Sequence, residues 1–167
     1  RLLPYSLIYT TAISLVTAPL IIFGQMRFEG NYFFHLPSML MTGFSISVLA
    51  LLVTWKTNQP SEGGSKMILI VPPGFILGGA LLASGYMPAW VNTVKFCFPL
   101  TWEYEFWRDF AMRGLPLSDM IKSYGQYALY MTVITSILAV VYYKTRQNFF
   151  EMKKLEQSEG EKAQSET

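Results

Sequence analysis

Four stretches of this chain run for about twenty residues or more without a charge: Leu2 to Met26, Leu36 to Trp55, Met67 to Val94 and Ser123 to Tyr143. A helix that crosses the hydrocarbon core of a bilayer needs about 20 mostly apolar residues, and each stretch supplies them. A soluble domain instead spaces its apolar residues at the helix or strand period, and about a quarter of its residues are charged. Here 14% are charged and 51% hydrophobic. Only helices and closed barrels satisfy their backbone groups inside lipid, and runs this long read as helices. The expected fold is therefore all-α: a polytopic transmembrane bundle.

The runs place four spans at about 3–24, 37–55, 67–87 and 123–143. Pro4 falls in the first turn of its helix, where a missing N–H costs nothing, and Pro19 marks a kink. Gln25 to Asn31, with Arg27 and Glu29, is a polar exit. Gly43, Ser45, Ser47 and Ala50 are small enough to let neighbouring membrane helices approach. Trp55 and Lys56 form an interfacial anchor ahead of an aqueous loop, Thr57 to Lys66. Pro72, Pro73, Gly74, Gly78 and Gly79 interrupt the third span, which is expected to be kinked or unwound and packed against neighbours.

The segment from Pro88 to Gly114 is aromatic, broken by Pro99 and dotted with charges. It reads as two short helices, Ala89 to Phe98 and Trp102 to Arg113, with Thr101 as N-cap and Gly114 as the C′ residue. Trp102, Phe106 and Phe110 form one apolar stripe. Neither helix can span, so 88–115 is expected to be a re-entrant or interfacial hairpin before the last span. Ser118 or Asp119 caps that span. The Lys/Glu-rich tail, 147–167, is expected to fray and end disordered. The chain opens on Arg1 and enters an apolar run at once, which suggests a cut inside a longer protein with further spans upstream. Arg1, Lys56, Lys66, Lys144, Arg146, Lys153, Lys154 and Lys162 fall on one side, against Arg27, Lys95, Arg108, Arg113 and Lys122. That bias puts the C-terminus in the cytoplasm and the hairpin outside, for a multi-pass protein of the inner (plasma) membrane.

Most chemistry is excluded by motif. The net charge of +2 is too small to point to nucleic acid. One cysteine, Cys97, and one histidine, His35, build neither a disulfide nor a zinc cluster. There is no phosphate-binding loop, no H-E-x-x-H and no nucleophile elbow. Cys97 reads as a small buried apolar residue and His35 as an interfacial histidine rather than a ligand. A triad could use only His35, and no neighbour in sequence supports one. Glu105 with Arg108, and Asp109 with Arg113, read as helical ion pairs on a water-facing side, with a transport or proton route as the sharper alternative. Glu103 has no helical partner. The Pro72-Pro73-Gly74 break is either a hinge or substrate-lining element or a static kink.

The order of these features resembles the membrane subunit of type-2 ABC exporters. Leu3-Pro4-Tyr5 opens a span, "GGALLASGYMPAW" covers Gly78 to Trp90, and "FPLTWEYEFWRDFAMRGLPLSDM" covers Phe98 to Met120. The resemblance extends over about Arg1 to Arg146 and implies the C-terminal half of a permease (1–146), its hairpin external and its tail cytoplasmic. It implies a homo- or heterodimer with a second permease subunit and with separate ABC ATPase subunits. Those partners hold ATP and Mg; this chain holds no cofactor and is not itself an enzyme. In that setting Ser45, Ser47, Pro72, Pro73 and Gly74 are candidates for the substrate path or hinge, and Glu103, Glu105 and Arg108 for an external gate. The rival readings are a membrane-embedded lipid- or glycan-modifying enzyme acting through the Glu103 to Asp109 helix, and a scaffold subunit recruiting partners through its tail.

Overall fold

The computed structural model describes residues 2–25, 28–55, 57, 60–80 and 87–165, the side chains of 60, 61 and 80 and those from 149 onward excepted. Arg1, Arg27, Lys56 and Asn58, and residues 81–86 of the expected third span, lie outside the described residues.

The chain is all-helical, with no strand among the described residues. Three helices are long and apolar enough to cross a membrane: α1 (Leu3–Ile22), α2 (Tyr32–Thr54) and the Leu117–Asn148 part of α7 (Leu117–Ser165). Between α2 and α7 lie short pieces: α3 (Pro60–Met67), α4 (Val71–Phe75) with a π-helical turn (Ile76–Ala80), α5 (Ala89–Val94) with a 3₁₀ turn (Lys95–Cys97), and α6 (Pro99–Trp107) with a second π turn (Arg108–Met112).

Local chemistry moves several expected boundaries. The second span starts at Tyr32 rather than Pro37, because the Asn31 side chain accepts the Phe33 N–H at 3.0 Å and caps the helix earlier. The third span is not one helix. Pro72 and Pro73 sit in the first turn of α4 instead of breaking a longer helix, a place where the absent N–H has no partner to lose. The backbone turns again at Gly79, whose φ of 94° excludes an ordinary side chain. Pro99 likewise starts α6, so Thr101 is not the N-cap: it lies inside the helix, fully buried. Gly114, at φ 59°, follows the Arg113 C-cap as the expected C′ residue. The last long helix begins at Leu117 and continues to Ser165.

α1 packs antiparallel on α2. Ser6 Oγ donates to the Leu40 carbonyl at 2.6 Å, and Thr17 Oγ1 meets the Tyr32 hydroxyl at 2.7 Å. Between them a Cβ on Gly43 would come within 3.1 Å of Ser6 Cα, so the small residue fixes the helix separation. The rest of α1 faces outward, with Leu15 75% exposed.

α2 and α7 run parallel. Tyr124 donates its hydroxyl to the Phe34 carbonyl at one end, and Trp55 Nε1 donates to Thr145 Oγ1 at the other. Phe34 to Trp55 is roughly 32 Å of helix, close to the hydrocarbon thickness of about 30 Å. Residues 57–116 must therefore carry the chain from the Trp55 end back to the Tyr124 end. The second π turn reaches that end: Glu29 N–H donates to the Ala111 carbonyl at 2.9 Å. The Trp102, Phe106 and Phe110 stripe turns toward α7 and forms the core with Met120 and Tyr127. Trp102 stacks on Tyr127 with centroids 5.1 Å apart and planes 7° from parallel.

Candidate functional site

Glu103, which lacks a partner on its own helix, finds its partners on α2. α6 leans on the middle of α2 and points the carboxylate into it. Thr42 donates to Oε2 at 2.9 Å, and Tyr127 on α7 donates to Thr42 Oγ1 at 3.0 Å. His35 Nε2 lies 3.0 Å from Oε1, close but off the line of a well-aligned hydrogen bond. One carboxylate thus joins three elements. Thr42 stands ten residues into α2, about 15 Å from its start, so the charge sits near the mid-depth of the bundle. Ionisable groups at that depth are costly and usually mark function.

His35, next to Phe34 at one end of the α2–α7 run, is fully buried rather than exposed, with Tyr32, Trp107 and Phe110 edge-on and Phe28 tilted around its ring. Ser38 Oγ lies 2.7 Å from the His35 carbonyl and 3.0 Å from Nδ1 of the same residue. The single hydroxyl proton can serve only one of them.

Glu103 keeps 13% of its side-chain surface exposed, and that surface faces a cavity of about 270 Å³ between α1, α2 and α6. Its walls include Tyr9, Ile13 and Thr17 from α1, Met39 from α2, and Tyr104 and Trp107 from α6. A larger groove between α2 and α7, about 520 Å³, holds no charged residue. The smaller cavity, by contrast, sets one carboxylate in a mostly apolar wall.

The other charges from Lys95 to Arg113 pair among themselves. Lys95 Nζ is buried and donates to Glu105 Oε1 at 2.8 Å, Arg108 donates to Glu105 Oε2, and Arg113 donates to Asp109 at 2.9 Å. Burial pushes the Glu105 carboxyl up, but the hydrogen bonds and charges of Arg108 and Lys95 outweigh it and hold it below its ordinary 4.5. At Asp109, burial outweighs the pull of Arg113 and Arg108 and raises the carboxyl. Turning Lys95 inward directs the end of the 3₁₀ turn outward, so Cys97 is exposed rather than buried.

The remaining candidates do not converge on the cavity. Ser45 is fully buried, and Ser47 donates to the Gly43 carbonyl within its own helix at 2.8 Å. Gly74 is buried against Phe98 and Leu100, where a void of only about 10 Å³ remains. Tyr9, Thr42, Tyr104 and Trp107 were not singled out by sequence reasoning, since each reads there as an ordinary span or hairpin residue. The unpartnered Glu103 was the one signal available. Among the described residues no three His, Cys, Asp or Glu side chains gather to hold a metal. No family model, curated protein or solved structure matches this chain.

Proposed function

We propose that this chain is the membrane-spanning part of the permease subunit of an ATP-driven ABC exporter, working as a dimer with separate ATPase subunits. The observation that carries the reading is the parallel run of α2 and α7. It supports one further crossing within 57–116, for which α4 and the π turn, inside the expected third span, are the candidates. The remainder of that stretch, α5 and α6, is then a re-entrant hairpin entering from the Tyr124 end. Four crossings with such a hairpin before the last one is the arrangement that the resemblance to type-2 ABC exporters implies. The orientation that goes with it places the Trp55 end and the α7 tail in the cytoplasm of the inner membrane, and the hairpin outside. Glu103, Glu105 and Arg108 then belong to the external half of the subunit, and ATP is consumed on a partner.

The test is co-expression with candidate Walker-type ATPases, followed by gentle purification in nanodiscs. The expected result is a stable complex with vanadate-sensitive ATP hydrolysis. Failure of every candidate ATPase to bind would overturn the proposal.

The Ser38, His35 and Glu103 series favours a second reading, a membrane-embedded hydrolase or transferase. It is the weaker one, because Ser38 is fully buried and has no path to a substrate.

A further inference from the structure

We infer that the cavity between α1, α2 and α6 is a binding site for a small hydrophobic organic cation. Three features carry this. The cavity has one acidic side chain on its wall, Glu103, and no basic one. That carboxylate is only partly satisfied: Oε2 accepts one hydrogen bond, from Thr42, and Oε1 has one poorly aligned neighbour, His35. Each carboxylate oxygen can accept two, so capacity remains on the side facing the cavity. Around it stand Tyr9, Tyr104 and Trp107, whose ring faces attract cations that are weakly hydrated. Met39 and Ile13 complete an otherwise apolar lining.

Size and charge narrow the ligand. The volume of about 270 Å³ lies just below the range of drug-sized sites, about 300 to 1,000 Å³, and suits a single aromatic or alkyl ammonium. An anion would face the Glu103 carboxylate with no basic wall residue to offset it. A fully hydrated inorganic cation would lose its water shell to a mostly apolar wall. A weakly hydrated cation gains both the carboxylate and the rings. The site goes beyond the exporter reading and stands without it, since binding to this cavity needs no ATPase.

The experiment is calorimetric titration of the protein in zwitterionic nanodiscs with benzyltrimethylammonium. Benzenesulfonate serves as an anion of similar size, and empty discs as the blank. Saturable binding of the cation and none of the anion is expected. Glu103→Gln should weaken cation binding at least about tenfold. Ile13→Phe, which fills the cavity without touching a partner of Glu103, should weaken it as much. Absence of saturable binding, equal binding of the anion, or unchanged affinity in Ile13→Phe overturns the inference. If Glu103→Gln does not elute as a folded species, Ile13→Phe and Tyr9→Leu decide the matter. ATPase association is read separately, so loss of either proposal leaves the other intact.

Discussion

His35 on α2 and Glu103 on α6 meet with Nε2 and Oε1 3.0 Å apart, the histidine fully buried. Breaking such a pair from one side leaves the other group without compensation, which costs more than the pair itself contributes. His35→Ala and Glu103→Ala should each lower unfolding stability by roughly 2 to 4 kcal/mol. A double-mutant cycle by thermal unfolding in detergent should show a coupling of about 1 to 3 kcal/mol. Additive effects would mean that the contact is geometric only.

Gly43 sets the distance between α1 and α2. A Cβ there would lie 3.0 Å from Tyr9 Cδ1 and 3.1 Å from Ser6 Cα, whereas at Gly64 nothing stands within 4 Å. Gly43→Ala should cost about 1 to 3 kcal/mol through overpacking, and Gly64→Ala should be neutral or slightly stabilising. Melting temperatures of the two variants side by side check this.

Tyr127 both stacks on Trp102 and donates to Thr42. Hydrogen bonds between membrane helices average only about 0.6 kcal/mol, while removing a buried aromatic ring costs about 3 to 5. Tyr127→Phe should therefore be mild and Tyr127→Ala severe. The reverse order would show that the hydroxyl network, not the packing, holds α7 in place.

Glu105 gives α6 an acid limit. Its folded carboxyl is held below the ordinary 4.5 by Arg108 and Lys95 despite burial. The stabilisation is thus fully present above the unfolded value and fades as pH falls through the folded one. Stability measured from pH 6 down to pH 3 should drop more steeply in the parent than in Glu105→Gln. Parallel curves would show that the carboxyl does not titrate differently on folding.

Cys97 tests the proposed hairpin. Its carbonyl accepts the Tyr130 hydroxyl at 2.8 Å, and Tyr130 stands six residues beyond Tyr124, roughly 9 Å inside that end of α7. The exposed thiol should react with a membrane-soluble maleimide and resist a charged one in intact membranes, then accept the charged reagent in detergent. Ready labelling by the charged reagent in membranes would place the hairpin on the surface.

Much of the architecture was legible in the sequence because hydrocarbon length is a local requirement. The uncharged runs located α1, α2 and the apolar part of α7, and the spacing of Trp102, Phe106 and Phe110 gave the buried stripe of α6. Ion pairs three and four residues apart were equally local. The errors were local as well. Asn31 outcompeted Pro37 as the start of α2, and Pro72 and Pro99 began helices where they had been read as breaks.

The site itself was not legible. Its groups sit at positions 9, 35, 42, 103 and 127, and no periodicity along the chain relates them. The sequence alone determined that the chain is helical, with stretches long and apolar enough to cross a membrane. The tertiary structure alone decided that Glu103 turns inward, that His35 is buried with it, and that a cavity opens beside them. The physical reason is that a charge in an apolar bundle must find its partners across helices, and packing, not sequence neighbours, chooses which ones it meets.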